Sequence, residues 1–442
     1  MPKSKFNVIS DRLVKFLNQT AQQAGKASGF VQRTSKLTAA VFVKTLVLGL
    51  SAKPEASLAE LAEQSEAFGV KISPQGLDER LNERAVKLLQ GLFEEAVRVF
   101  RSEQKIAGAV FTQFSSIRIL DSTIITLPAG MQSLYAGCKT TGGAAALKVH
   151  LSFEYLRGQL SALQVVAGRS PDQNCRLQVE QAEANSLHLF DLGYFKQEVL
   201  VALDQVGAFF ISRLQTQTAV YDLDQAGDKI ELVQVLSAQP GAVYERDYQI
   251  GHKTRLKVRL IAQRLPQPQA VERRRKALAK HRKKGRTPSA TYLHLLDWNI
   301  FITNVPPNRL TAVQVIAFYR LRWQIELVFK LWKSCAQLAD VGLWRSQRVL
   351  CFLYAKLIGL VLFHYLAAPQ RVLDNQELSW PKAFRRWQLA VPKFMAALAK
   401  SGRGLATLCA ALADDFLHKA LKGRRKKSPS SYRRLLSLQA PA

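Results

Sequence analysis

Apolar positions change their spacing twice along this chain. Residues 1–105 read as helices. Leu46, Val47, Leu48 and Leu50 belong to an apolar run that stops before Pro54. Ser57 with Glu60 forms a capping-box pattern, and Ser73-Pro74 restarts a helix with proline in its first position. Near residue 115 the pattern shortens to that of strands. Residues 117–127, IRILDSTIITL, end at Pro128. Residues 146–156 and 159–166 are two more apolar-rich runs, split by Arg157-Gly158, a hairpin signal. Gly142-Gly143 marks a turn. Ser170-Pro171-Asp172 opens a predicted helix of roughly 14 residues. LHLFDLGYF then reads as a strand ending at Asp191, followed by a helix from Phe195 and the strand GAFFISRL. Three strands, helix, strand, helix, strand predicts an α/β sheet with helices on its faces. Alternating runs in 215–297, such as YERDYQIGHKTRLKVRLIAQRL, predict a β-rich segment. NIFITNV is a further strand, and the remainder turns helical. Residues 349–368 are the most apolar stretch, but Lys356 and His364 within it favour a buried core helix over a membrane span.

Residues 319–333, YRLRWQIELVFKLWK, carry the most telling polar positions. Good helix formers fill the stretch, with no Gly or Pro. At about 100° per residue, Tyr319, Arg322, Glu326 and Lys333 share one narrow stripe, and Leu321, Ile325, Val328 and Trp332 share the opposite side. A carboxylate ringed by a phenol and cations suits a metal beside a phosphodiester: the acid holds the ion and the bases hold phosphate oxygens. The same pattern also fits a solvated helix face with charge pairs one turn apart.

The spacing Tyr, two residues, Arg, three residues, Glu, six residues, Lys resembles the signature of DDE transposases of the insertion-sequence-four family. The resemblance implies that Glu326 is the last of three metal-binding acids. It also implies that Tyr319, Arg322 and Lys333 grip DNA at the transposon end; Lys330 on the same stretch is a further candidate DNA contact. Two aspartates on a strand scaffold should complete the set. Asp121-Ser122-Thr123 and Asp191-Leu192-Gly193-Tyr194 match the family's contexts for them. The element order is that of a ribonuclease-H-like fold, with Asp121 inside the first strand, where a buried acid is costly unless paired or on a metal, and Asp191 at the carboxyl end of a strand, where α/β sheets place ligands. Taken alone, Asp121 could be a strand acid bonded to Ser122 or Thr123, and Asp191 an Asx-turn before Gly193. The 135 positions from Asp191 to Glu326 exceed what a bare core needs, so an insertion is implied. Trp298 precedes Tyr319 by 21 positions, as in relatives that stack a flipped-out base on a tryptophan. The expected division is 1–105, a helical DNA-binding domain; 106–214, the first part of the core; 215–297, a β-rich basic insertion; 298–345, the second part with the catalytic helix; and 346–442, a helical C-terminal region with a basic tail.

Composition fits a partner rich in negative charge. The 442 residues carry a formal net charge of +30, which points to nucleic acid or an anionic surface. Residues 1–36 hold seven Lys or Arg against Asp11 alone. Residues 55–100 hold nine acids and five bases, so a helix-turn-helix reader within 57–84 competes there with a simple packing bundle. Within 251–290 there are fourteen Lys or Arg against Glu272. RRRKALAKHRKKGRTP reads as a mobile basic loop or short helix, with Arg273, Arg274, Arg275, Lys283 and Lys284 on DNA phosphates. Residues 421–436 add seven bases and no acid. Five scattered cysteines without a CxxC pair suggest neither a zinc module nor a disulfide framework, and fit reduced thiols in a cytoplasm. No apolar run of secretory type opens the chain, and membrane attachment is not expected. No GxxxxGK[ST] or HExxH spacing supports ATP use or zinc hydrolysis.

The reading that follows is a cut-and-paste DNA transposase acting in a bacterial cytoplasm at the nucleoid. Two Mg²⁺ or Mn²⁺ ions would sit on Asp121, Asp191 and Glu326. Partners would be double-stranded DNA with terminal inverted repeats, target DNA, and a second copy in the synaptic complex. A catalytically silent DNA-binding descendant, a ribonuclease-H-like DNA nuclease, and a recombinase with Tyr319 as nucleophile are the rival readings.

Overall fold

The computed structural model describes residues 3–33, 35–106, 108–138, 143–223, 227–340, 342, 345–370, 372–373, 376–423 and 429–438. Gly142 of the expected turn and residues 424–428 of the basic tail lie outside these. Strands β1 (Ser116–Leu127), β2 (Ala145–Glu154), β3 (Gln159–Ala167), β4 (Ser186–Phe190), β5 (Phe209–Arg213), β6 (Val220–Tyr221), β7 (Val243–Ile250), β8 (Leu256–Arg264) and β9 (Trp298–Thr303) follow in chain order. Their order in the sheet is β3-β2-β1-β4-β5-β9-β8-β7-β6. The chain divides into two compact units, Met1–Ile106 with Ser122–Ser170 and Gln324–Lys426, and Ala107–Asp121 with Pro171–Trp323 and Lys427–Ala442.

The first unit is mainly helical. Its axis is the helix Ser346–Ala367, which is buried from Val349 to Ala367. It packs against Ala39–Ala52 and Glu83–Val99. Its length and hydropathy would suit a membrane span, yet its most apolar window is wholly covered by protein. Lys356 and His364 are buried inside it, as the sequence suggests. Lys356 reaches the carbonyl of Gln337 at 2.9 Å, and burial pushes its ammonium down to about 8. At Gly359 the helices Ser346–Ala367 and Ala39–Ala52 lie close, because an added Cβ would run into the Ser51 hydroxyl. The Ser57–Glu60 capping box and the Ser73 cap before Pro74 both form. β2 and β3 pair antiparallel in this unit. Every residue of β2 is buried, and its polar positions find partners: Lys148 the Ser170 carbonyl, and Ser152 the Ser161 hydroxyl.

The second unit is built on the rest of the sheet. The first part of β1 pairs parallel with β4, and β4 parallel with β5. The helix Gln197–Gln205 makes the β4–β5 crossover. β9 then runs antiparallel to β5, and β8, β7 and β6 extend the sheet outward in antiparallel steps. The helix Ser431–Leu436 packs on Ala312–Tyr319, with Tyr432 stacked on Phe111 at 5.8 Å.

Three elements differ from the sequence reading. The segment expected to form a long helix from residue 170 holds only the 3₁₀ turn Asp172–Asn174 and the short helix Leu177–Glu180. Gln173 and Gln178 spend their side-chain amides on loop carbonyls there. The expected β-rich stretch 215–297 also contains the helices Leu232–Ser237, Gln267–Arg282 and Ala290–Leu295. Its basic run is thus a helix of 16 residues, anchored by buried Ala270 and Ala277 one heptad apart. The stretch 319–333 is not one helix. Ala312–Tyr319 ends in the 3₁₀ turn Arg320–Arg322, and a second helix, Trp323–Ser334, begins there.

Candidate active site

Strand register brings two acids together. β1 and β4 run parallel with Ile119 opposite Leu189 and Leu120 opposite Phe190. The next position on each chain is Asp121 and Asp191. Neighbouring strands lie about 4.8 Å apart, so the two carboxylates emerge side by side at the carboxyl end of the pair. The residues before them are buried apolar side chains, which fix the register. Asp191 precedes the 3₁₀ turn Leu192–Tyr194, but its carboxylate makes no capping bond to that turn. That removes the Asx-turn explanation for it.

Each aspartate meets a residue of the 319–333 signature. The Arg322 guanidinium donates from Nη1 to Asp121 Oδ2 at 3.1 Å, with the two side chains 16% and 20% exposed. The Tyr319 hydroxyl faces Asp191 Oδ1 at 3.5 Å, a long contact, while its ring packs on Phe301. Both donors come from one tight turn. In 3₁₀ geometry residues i and i+3 eclipse, so Tyr319 and Arg322 project to one side. Burial, helped by the Asp191 charge, pushes the Tyr319 phenol well above its usual range.

Glu326, Lys330 and Lys333 lie on the helix Trp323–Ser334 of the other unit. Ile325, Val328, Phe329, Leu331 and Trp332 form its buried side, leaving Lys330 and Lys333 exposed and Glu326 half-buried. Among the described residues, no three of His, Cys, Asp and Glu gather as a group able to hold a metal ion. The Asp121–Asp191 pair itself offers only carboxylate oxygens, a donor set that fits a hard divalent cation such as Mg²⁺ or Mn²⁺.

The sequence reading missed Arg213. Extending the β4–β5 register two places beyond Leu189–Ile211 sets Arg213 opposite Asp191. Its Nε is buried and has no hydrogen-bond partner. Arg213, Leu192, Arg273, Tyr292 and Trp298 line a cleft of about 280 Å³. Arg213 ends an ordinary apolar strand, and no motif announces it. Trp298 is 5% exposed, with the Arg264 guanidinium 4.7 Å over its ring. Arg273 bonds the carbonyls of Leu296 and Trp298 and the amide of Asn299. Arg274 donates from Nη1 to both carboxylate oxygens of Asp297. Arg275 turns outward and pairs with Glu272, and Lys283 and Lys284 are exposed.

Comparison with known proteins decides the family. The family described as Transposase DDE domain matches residues 112–362, more than half the chain. The chain belongs to this family. It is a DDE-type DNA transposase. It is similar to the transposase for insertion sequence element IS231B of Bacillus thuringiensis subsp. berliner, 29% identical, covering 93% of this chain and 91% of that one. It is 30% identical to the transposase for IS231C of the same subspecies, covering 81% and 80% respectively. The transposase for IS1151 of Clostridium perfringens is 28% identical, covering 94% and 93%. A solved piggyBac transposase synaptic complex with hairpin DNA aligns to 98% of this transposase and 84% of its own chain, at 8% identity and a TM-score of 0.41. That likeness is too distant to carry an argument.

Proposed function

We propose that this transposase mobilises an insertion sequence by cutting and joining DNA ends at Asp121, Asp191 and Glu326. The observation that carries the reading is the strand register that sets Asp121 beside Asp191, each met by a signature residue. Glu326 is assigned from the signature spacing. The order β3-β2-β1-β4-β5, with β1, β4 and β5 parallel, supports a ribonuclease-H-like core.

The division of labour follows from the side chains. Divalent ions on the acids would activate water or a 3′-hydroxyl for in-line attack and stabilise the leaving oxygen. Asp121 within β1 and Asp191 just past β4 follow the last paired residues of the two strands, which sets where their carboxylates lie. Arg322, Lys330 and Lys333 suit phosphate oxygens, Arg322 through its planar fork. Tyr319 keeps its proton and orients Asp191. Trp298 walls the cleft beside Asp191, where an extruded base could stack. Arg275, Lys283 and Lys284 present charge to the DNA backbone. Double-stranded ends with inverted repeats, a target duplex and a second copy of the chain would make up the working complex, in the bacterial cytoplasm at the nucleoid.

The test uses labelled ends taken from the inverted repeats that flank the coding region. Mg²⁺ or Mn²⁺ should support cleavage and joining to a target duplex, and chelator should stop both. D121N, D191N and E326Q should bind the ends yet leave them intact. Label attached covalently to the protein would overturn the reading. Cleavage without joining would point to a nuclease instead.

A further inference from the structure

Arg322 has two possible anions and one guanidinium. Here it holds Asp121 at 3.1 Å, largely shielded from water. Tyr319, three residues earlier in the same tight turn, stands over Asp191. The donors of one 3₁₀ turn thus cover both aspartates. A divalent cation on Asp121 would sit within a few ångströms of that guanidinium, and like charges at such range repel strongly in a shielded site. A phosphodiester relieves the conflict, because its oxygens offer the guanidinium fork the same geometry as a carboxylate. We propose that Arg322 is an exchange residue: it holds Asp121 in the DNA-free protein, passes to a DNA phosphate on binding, and so releases Asp121 to the metal. Metal and DNA then bind with positive coupling through one side chain, and the coupling is reciprocal. The proposal rests on the reading that Asp121 and Asp191 hold the divalent ion.

The experiment measures Mn²⁺ binding to the full chain from the paramagnetic signal of free Mn²⁺, with and without a random-sequence DNA duplex. Binding to the duplex alone is subtracted. In the wild type, DNA should tighten Mn²⁺ binding roughly five- to 150-fold, the usual range of coupling between sites. R322Q should bind Mn²⁺ more tightly than wild type without DNA, and DNA should then add little. K280Q, which removes the same charge from an exposed position, should leave the coupling intact. R322K keeps the charge without the fork, and should fall between wild type and R322Q. If R322Q folds poorly by its melting curve, R322K carries the test. Mn²⁺ affinity and coupling unchanged in both Arg322 variants would overturn the exchange while leaving the metal reading standing. Equal Mn²⁺ binding in D121N, D191N and wild type would instead overturn the metal reading and the exchange with it.

Discussion

Arg264 and Trp298 face each other across β8 and β9, with the guanidinium 4.7 Å above the indole. The tryptophan thus lines the cleft with a cation against its ring. Stacking of a base on the remaining aromatic surface contributes about 1–3 kcal/mol. W298A should therefore lower the rate of end processing by about 5- to 150-fold, and because the side chain is 5% exposed it should also lower the melting temperature. Hairpin and end products measured on labelled DNA check this. A normal rate in W298A would remove the stacking role.

The basic helix Gln267–Arg282 and the residues after it separate two kinds of arginine. Arg273 and Arg274 are spent on carbonyls, Asn299 and Asp297. Arg275, Lys283 and Lys284 face water. Replacing these last three by Gln should reduce the slope of log affinity against log salt by about 2–3, since each phosphate contact accounts for about 0.9. R274A should lower thermal stability instead, and leave the slope nearly unchanged. Fluorescence titrations with duplex DNA at several salt concentrations distinguish the two outcomes.

Gly359 marks a close helix approach. G359V should destabilise the helical unit by about 1–3 kcal/mol through overpacking against Ser51. A denaturant series on the two proteins measures it. A midpoint equal to wild type would mean that the two helices are free to move apart.

Two buried histidines set an acid limit on stability. Burial pushes His364 down to about 3, and burial aided by the Arg118 charge does the same to His188. An unfolded histidine titrates near 6.5. Between those values the unfolded chain binds a proton that the folded chain refuses. Stability is therefore full above about pH 6.5 and falls as pH drops toward 3, by up to about 1.4 kcal/mol per pH unit for each histidine. Melting temperatures from about pH 7 to about pH 4 should show the decline. H364F should flatten part of it.

Much of this was readable from residues alone. The strands around Asp121 and Asp191 show themselves because one apolar run encloses an acid and the other ends in one, a costly combination without a purpose. The buried row Leu321, Ile325, Val328 and Trp332 follows from helical period. The 3₁₀ turn at Arg320–Arg322 does not, since every residue there is a good α-helix former. The helix Gln267–Arg282 hid behind its charge density: only Ala270 and Ala277 are buried, too small a stripe for a hydrophobic pattern to reveal. Arg213 acquires its meaning from a strand neighbour 22 positions away.

The short length between Arg322 and Glu326 gives the signature a phase as well as a composition. Adding or deleting one residue there would turn everything downstream by about 100° relative to the 3₁₀ turn. A deletion would give Glu326 the angle now held by buried Ile325, and an insertion the angle now held by Leu327. Such a frameshift in angle should be far more damaging than most single replacements, so this segment tolerates changes of letter better than changes of count.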